Sequence, residues 1–357
     1  MTRIADTSSD AARPIRLAII GAGAITRGAH LRAALRSPAF DVCALVDSRT
    51  ETAAALARDF SLDLQLVSPS FEEVAGRADA VLIATPPASH VQLARAALER
   101  GLPVLVEKPF TINHADAVAL CELAASRQIP IAVGYFARQH PSVSLLQHLL
   151  ATEFLGRVIS FDYEFGASGG WETSSGFNTN RAAAGGGVLI DTGTHFIDKM
   201  LYWFGVPDTF EYADDSFGGP EANCRATFQF HTGSGSYTGY LKLSKTIQYG
   251  NRLIVETDGY TCKLRDGQSR SVTVYPREHP ELAFDVSARD LDAEEPDYFQ
   301  RQLENFAAAI RGETTPTVDG WAAAESVYLI EQMYASRRQL DEPWSLAKLK
   351  CPAETHV

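Results

Sequence analysis

The sequence predicts an α/β protein in which a doubly wound parallel sheet is followed by an α+β domain with a large, mostly antiparallel, open sheet. Two observations lead to this prediction. In the first third of the chain, apolar runs without alternation are separated by segments of helical length, as in parallel strands covered by helices on both faces. After Tyr135, longer segments alternate apolar and polar residues, as in a sheet with one buried face.

The elements of the first domain are expected in strict strand–helix order. The predicted strands are IRLAII from Ile15, DVCALVD ending at Asp47, ADAVLIAT from Asp79, LPVLVEKP after Gly101, and IPIAVGY. The predicted helices are one ending near Ser37 and Pro38, TETAAALARDF, one over about Ser89 to Arg100, and one over about Asn113 to Arg127 with Asn113 as its cap. We therefore expect a first domain over residues 1–133, of which 1–14 form a flexible tail, and a second domain over 134–357.

The second domain shows its sheet in four segments. These are RVISFDYEF, ANCRATFQFH, SYTGYLKLS and NRLIVETDG. In the second of them, Cys224, Ala226, Phe228 and Phe230 occupy alternate positions, which predicts that one face of the strand is buried.

A glycine-rich turn lies between the first strand and the first helix. Gly21, Gly23 and Thr26 form a G-x-G-x-x-T version of the dinucleotide fingerprint of Rossmann domains, and Ala24 and Ile25 lie within it. The two glycines permit a tight turn and a close approach of a pyrophosphate to the helix N-terminus. By itself this short motif is a weak signal.

An aspartate at the end of the second strand strengthens the dinucleotide interpretation. Asp47 stands about where such domains place an acidic residue that binds the ribose hydroxyls. The alternative is a turn or helix-capping residue. Because this aspartate suits a free ribose diol, NAD is expected. Ser48 and Arg49 follow, and since an arginine here can bind a 2′-phosphate, NADP is the alternative.

Two further loops leave the carboxyl ends of later strands, where ligands of such sheets bind. The loop ATPPASH supplies Thr85, Pro86 and His90, and the loop EKPF supplies Glu107 and Lys108. We expect these residues at the cofactor. For Lys108, the alternative is a solvated lysine in a surface turn.

The segment GGGVLIDTGTHFIDKM carries Asp191, His195 and Asp198 among apolar residues. On a helix, steps of four and then three residues bring these side chains near one face. Taken alone, the motif is explained equally by a capping aspartate and a hydrogen-bonded core histidine.

Composition excludes several classes of protein. The chain of 357 residues is 45% hydrophobic and contains no apolar run of transmembrane length. Its net charge of -12, from 32 Lys plus Arg and 44 Asp plus Glu, disfavours nucleic acids and acidic membranes as partners.

Cysteine spacing and the N-terminus bear on metal binding and location. The five cysteines include no C-x-x-C pair, so no metal site is expected. The polar N-terminus lacks the apolar segment of a signal peptide, and a cytoplasmic location is expected.

Taken in order, these segments resemble the Gfo/Idh/MocA family, which includes glucose-fructose oxidoreductase and inositol dehydrogenase. The resemblance runs from about Ile15 to Trp344. It rests on the glycine turn, ATPPASH, VEKPF, GYFARQHP, GGGVLIDTGTHFID and the closing segment FQRQLENFAAAIRGETTPTVDGWAAAESVYLIEQMYAS.

The resemblance implies an NAD(P)-dependent oxidoreductase that interconverts a secondary hydroxyl and a ketone on a sugar, glycoside, nucleotide sugar or cyclitol. Its catalytic residues would be Lys108, Asp191 and His195. His195 is expected to be the general base, since an ordinary imidazole pKa of about 6.5 suits proton exchange near neutrality. Lys108 would stabilise the charge on the same oxygen and is the alternative proton carrier, while Asp191 would orient Lys108 or the substrate.

The substrate-binding residues are expected to be Arg138, Trp171, Asn178, Arg181, Thr192 and His195. Many relatives carry Trp-Arg ahead of the triple glycine, where this chain has Phe177 and Asn178, with Arg181 nearer the glycines. An aromatic ring, amides and hydroxyls suit a polyhydroxylated ring.

The family resemblance also implies a subunit interface and two alternative functions. In relatives the open face of the second sheet often forms the interface, so a homodimer or homotetramer is expected, with Tyr237, Tyr240 and Tyr249 available to it. The alternative is that these tyrosines pack under helices. The alternative functions are an NAD-dependent glycosidase of the same fold and a non-catalytic dinucleotide-binding sensor.

Overall fold

A computed structural model describes residues 13–169, 176–233, 235–265, 270–287 and 297–340. The chain divides into two compact units. The first comprises Met1–Phe110, Ala115–Gln139 and Glu294–Trp321, and the second comprises Thr111–His114, His140–Ala293 and Ala322–Val357. The predicted division at residue 133 assigned the segment 294–321 to the second domain, whereas the structure groups it with the first unit.

The first unit contains a six-stranded sheet in which every pair of neighbours is parallel. Its strands are β1 (Ile15–Ile20), β2 (Phe40–Val46), β3 (Val67–Ser68), β4 (Ala80–Ile83), β5 (Val104–Val106) and β6 (Ile131–Val133). Their order, β3-β2-β1-β4-β5-β6, confirms the predicted doubly wound sheet. Its switch point lies between β1 and β4.

Helices follow the strands of this unit much as the sequence predicts. A π-helical turn, Thr26–His30, leads into α1 (Leu31–Arg36), and α2 (Thr50–Asp59), α3 (His90–Glu99) and α4 (His114–Arg127) follow. The buried strands are apolar on both faces, with Leu17 and Leu82 fully buried.

A later part of the chain returns to this core. Leu303 and Phe306 are fully buried in the same hydrophobic cluster as the strand residues, and Phe306 stacks on Phe40 with ring centroids 6.5 Å apart. This burial is the physical reason that the segment 294–321, which contains α8 (Tyr298–Ile310), belongs to the first unit.

The second unit contains a nine-stranded sheet. Its strands are β7 (Val158–Gly166), β8 (Thr209–Asp214), β9 (Asn223–Thr232), β10 (Gly235–Ser244), β11 (Arg252–Thr257), β12 (Tyr260–Arg265), β13 (Ser271–Pro276), β14 (Phe284–Ser287) and β15 (Arg338–Gln339). The order is β14-β13-β12-β11-β7-β10-β9-β8-β15. Most neighbours are antiparallel, as predicted, but β7 pairs with β10 in parallel, so the sheet is mixed.

Helices of this unit are α5 (Pro141–Ala151), α6 (Arg181–Ala184), α7 (Thr194–Phe204) and most of α9 (Gly320–Ala335). The predicted alternation in β9 is confirmed, since Cys224, Ala226, Phe228 and Phe230 are all buried. Within the described residues, no helix combines the length and apolar character needed to cross a bilayer.

Aromatic packing fixes helix α7 on the sheet. Phe196 and Trp203 both contact Tyr163 of β7, with ring centroids 4.6 Å and 5.9 Å apart. Trp203 also donates its indole N–H to the Val143 carbonyl at 2.9 Å. The helix that carries His195 is therefore anchored at both ends.

Candidate active site

The glycine turn, residues 21–25, requires glycine at its first position. Gly21 has φ +98°, and a Cβ atom there would overlap the carbonyl oxygen of Ala84. Gly23 differs, because a Cβ atom there would meet nothing within 4 Å. Ala24 and Ile25 are exposed, so the outer edge of the turn faces open space.

Thr26 closes the turn by a hydrogen bond. Its side chain is fully buried, and its hydroxyl donates to the Gly21 carbonyl at 2.6 Å. The small residue usual at this position contributes only close packing, whereas threonine adds a direct link across the turn.

Asp47 lies against the same turn. One carboxylate oxygen accepts the Ala22 N–H at 3.0 Å, and the other accepts the Arg49 N–H at 2.9 Å. Ser48 and Arg49 are exposed. Because a carboxylate oxygen can accept two hydrogen bonds, Asp47 retains acceptor capacity for a ligand hydroxyl.

His90 joins the loops after β4 and β5. It is fully buried, with Nε2 2.8 Å from the Thr85 carbonyl and Nδ1 2.9 Å from the Pro109 carbonyl. Burial lowers the pKa of His90, and a neutral imidazole donates to only one of these carbonyls. Thr85 is partly exposed and Pro86 is exposed.

A buried pair supports Lys108. Glu107 is 6% exposed; one of its oxygens lies 2.6 Å from Nε2 of the fully buried His30, and the other accepts the Lys108 N–H at 2.9 Å. Burial alone raises the pKa of Glu107, but the hydrogen bond from His30 and the nearby charges outweigh it, so this pKa lies below its ordinary value. Lys108 itself is partly exposed.

In the second unit, a buried glutamate accepts hydrogen bonds from the backbone at the end of the triple glycine. Glu221 is fully buried, and its carboxylate accepts the N–H groups of Gly187 and Leu189, both at 2.9 Å, and the Tyr334 hydroxyl at 2.7 Å. A Cβ atom at Gly187 would overlap the Glu221 backbone, and one at Gly186 would overlap the Tyr334 hydroxyl. The glycines therefore permit close packing.

The ionisation of this cluster follows from its burial. Burial raises the pKa of Glu221, while the Tyr334 hydroxyl and the Leu189 N–H act in the opposite direction. Burial and the neighbouring Glu221 also raise the pKa of Tyr334 well above its ordinary value, so its hydroxyl stays a donor. Among the described residues, the hydrogen bonds to the two Glu221 oxygens all come from donors, an arrangement that suits an ionised carboxylate.

Asp191 lies in a π-helical turn, Leu189–Gly193, that precedes α7. Its Oδ2 accepts a hydrogen bond from Nζ of Lys245 at 2.5 Å, and Lys245 is 5% exposed. Thr192 and His195 are partly exposed, whereas Asp198 is fully buried. Of the predicted helix face, Asp191 and His195 are thus accessible and Asp198 is not.

The predicted substrate residues have different surroundings. Asn178 is buried, and its Oδ1 has no hydrogen-bond partner among the described residues. The Arg181 guanidinium lies 5.5 Å from the ring centroid of Tyr334, and Arg138 is partly exposed in the first unit. Trp171 lies outside the described residues.

Sequence reasoning missed His30, Glu221 and Lys245. Each contacts a predicted segment that is distant along the chain, so no local motif contains them. The sequence contains one signal for Lys245. It lies two residues after Leu243 and continues the series of alternate positions, Leu241 and Leu243, that are buried. In the part of the chain that the structure describes, no three His, Cys, Asp or Glu side chains are grouped to hold a metal ion.

Two family models match the chain. The model of the Gfo/Idh/MocA oxidoreductase family, NAD-binding Rossmann fold, matches residues 15–135, and that of the family's C-terminal alpha/beta domain matches residues 147–343.

Curated relatives agree with these matches. The rhizopine catabolism protein MocA of Rhizobium meliloti is 30% identical over 197 residues, which span 54% of this chain and only 58% of that protein. D-glucoside 3-dehydrogenase of Escherichia coli K12 is 25% identical over 357 aligned residues, 94% of this chain and 98% of that protein.

A solved structure agrees in fold. The inositol dehydrogenase homolog of Azotobacter vinelandii, complexed with NAD+, superposes with a TM-score of 0.80 at 21% identity. The superposition covers 91% of this chain and 95% of the other.

The two glycines of the turn should respond differently to substitution. We expect Gly21→Ala to destabilise the cofactor-free protein by about 2 kcal/mol or more, since its positive φ and the Ala84 backbone both oppose a Cβ atom. Gly23→Ala is the matched control and should change stability by less than about 0.5 kcal/mol. Urea unfolding of both variants measures this, and equal midpoints would contradict the assigned turn geometry.

Proposed function

This chain belongs to the Gfo/Idh/MocA oxidoreductase family, whose two domain models match most of its length, and we propose that it is an NAD(P)-dependent dehydrogenase. It would interconvert a secondary hydroxyl group and a ketone on a sugar, glycoside, nucleotide sugar or cyclitol. The observation that carries the proposal is the open glycine turn with the Asp47 carboxylate bonded to its backbone.

The residues around the turn fit a dinucleotide. The open space at Gly23 and the exposed Ala24 and Ile25 leave room for a pyrophosphate at the start of the following helix. The remaining acceptor capacity of Asp47 suits the two ribose hydroxyls, and Thr85 and Pro86 would border the same ligand. When bound, the nicotinamide would accept a hydride from the substrate or return one to it.

His90 and Glu107 take a different role in this proposal. Both were expected to contact the cofactor, but their polar side-chain atoms are engaged inside the first unit. We assign them to the support of the loops that carry Thr85 and Lys108. A rigid support matters because small displacements of a reacting group cost large factors in rate.

Protein side chains would handle the proton and the charge on the oxygen. In oxidation, His195 would take the hydroxyl proton as general base, and Lys108 would donate a hydrogen bond to the same oxygen as its charge develops. Asp191 would orient the substrate. Lys108 is the alternative proton carrier.

The substrate proposal rests on polar side chains that can hydrogen-bond a substrate. The buried Oδ1 of Asn178 suits a hydroxyl donor, and Thr192 and Arg181 offer further hydrogen bonds. Trp171 would supply a ring surface for a sugar, and Arg138 a cation for a phosphate. The match with D-glucoside 3-dehydrogenase over nearly the whole chain supports a sugar or glycoside substrate.

The glycosidase and sensor alternatives make different predictions. A glycosidase that uses bound NAD would release a free sugar without net production of NADH. A sensor would bind the dinucleotide without turnover. Following NADH absorbance and sugar release with a panel of sugars, inositols, glycosides and nucleotide sugars separates the three functions.

We also propose a homodimer or homotetramer formed through the open face of the second sheet. Tyr240 is 44% exposed on this sheet. Tyr237 does not belong to that surface, because it is partly buried against the core and stacks on Phe230, with ring centroids 4.8 Å apart. Tyr249 packs beside Gly166.

A cytoplasmic location stays a prediction from the sequence.

His195→Ala should separate proton transfer from cofactor binding. We expect kcat to fall at least about 100-fold because a general base is lost, whereas the Kd for NAD should change less than about twofold. His148→Ala, at an exposed position of α5, is the matched control. Full turnover by the His195 variant would indicate that Lys108 is the proton carrier. Lys108→Met would then test that role.

Asp47 should determine the choice of dinucleotide. A carboxylate accepts hydrogen bonds from a free ribose diol and repels a 2′-phosphate, so the wild type should bind NAD more tightly than NADP. Asp47→Asn should reduce that preference by about tenfold, and Arg49→Ala should not reduce it. Titration of both cofactors measures this. Equal or tighter binding of NADP by the wild type would show that Arg49 controls the pocket.

A further inference from the structure

Lys245 is a buried cation in direct contact with a predicted catalytic residue. It follows the last residue of β10, and its Nζ lies 2.5 Å from Oδ2 of Asp191. The side chain of Lys245 is 5% exposed and that of Asp191 is 29% exposed. Solvent thus reaches the aspartate far more than the lysine, as expected if the carboxylate faces a ligand and the ammonium lies behind it.

The backbone of Lys245 is fixed by its neighbours. Its N–H donates to the Ala222 carbonyl at 2.9 Å. On either side of it, the hydroxyls of Ser244 and Thr246 both donate to Oδ1 of Asn223, at 2.5 Å and 2.8 Å. A lysine ordinarily carries its charge on a flexible side chain. Here the backbone turn that carries the side chain is held by three hydrogen bonds, one to Ala222 and two to Asn223.

The segment of residues 221–223 also fixes the helical turn that carries Asp191. Glu221, next to Ala222, accepts the N–H groups of Gly187 and Leu189 with its carboxylate and that of Val188 with its backbone carbonyl. Residues 221–223 therefore hold both partners of the ion pair. Such an arrangement sets the distance between Lys245 and Asp191 before any substrate binds.

We propose that Lys245 is a positioning residue for the dehydrogenase reaction. It holds the Asp191 carboxylate ionised and in one orientation. The carboxylate therefore meets the substrate without having to turn. The inference rests on the proposed function, since it assigns Asp191 to the substrate. An opposite charge within hydrogen-bond distance stabilises an ionised carboxylate, and a buried ion pair fixes geometry more surely than it adds stability.

Kinetics of Lys245→Met test the proposal. We expect kcat to fall about 10- to 100-fold while the Kd for NAD changes less than about twofold, because the variant removes the ammonium group that contacts Asp191 and leaves the cofactor turn intact. Lys245→Arg keeps the charge and should recover most of the loss. Lys242→Met is the matched control, since Lys242 is an exposed residue of β10, three positions before Lys245, with its Nζ 4.0 Å from Oδ2 of Asp162.

A double-variant cycle shows whether Lys245 acts through Asp191. If it does, Lys245→Met should change kcat less than about threefold in an Asp191→Asn background. Multiplicative losses, or a Lys245→Met enzyme with wild-type kcat, would overturn the proposal. Thermal unfolding and NAD binding verify that each variant is folded, and Lys245→Gln replaces the methionine variant if that one does not fold.

The cycle also separates this inference from the proposed function. A wild type that turns over no member of the substrate panel would refute the dehydrogenase. The same four proteins would still report the contact, because the shift in unfolding midpoint caused by Lys245→Met should shrink by at least half in the Asp191→Asn background. Equal shifts in both backgrounds would overturn the ion pair itself.

Discussion

The second unit depends on one buried carboxylate. Glu221 has no exposed surface, and such a group is tolerated only when hydrogen bonds compensate for lost hydration. The N–H groups at the start of the Asp191 helix supply two of these bonds, and Tyr334 supplies a third. Glycine is needed where this contact is made, because a larger residue would separate the helix from the glutamate. Gly186 and Gly187 of the triple glycine meet that constraint, whereas Gly185 ends α6 with φ +88°.

The first unit solves the same problem with other residues. His30 and Glu107 form a buried pair beneath Lys108, and His90 bridges the two loops that border the turn. In both units, a residue proposed to react lies next to buried polar groups that hydrogen bonds hold within the same unit. Rigid supports of this kind are what precise positioning of reacting groups requires.

The sequence predicted what is local and missed what is distant. The order of strands and helices, the turn at Gly21 and the aspartate after β2 follow from periodicity and spacing within short segments. The contact between His30 and Glu107, the Glu221 cap, and the pair of Lys245 with Asp191 join residues far apart in sequence. The parallel pairing of β7 with β10 and the return of α8 to the first core depend likewise on tertiary packing.

The proposed dehydrogenase transfers hydrogen directly between a substrate carbon and the nicotinamide. Substrates from the polyol panel carrying deuterium on the secondary-alcohol carbon would be incubated with the protein and NAD, and the NADH analysed by mass spectrometry. We predict NADH that is heavier by one mass unit, with the label at C4 of the nicotinamide. Unlabelled NADH, or a hydrolysed sugar formed with no net NADH, would contradict it.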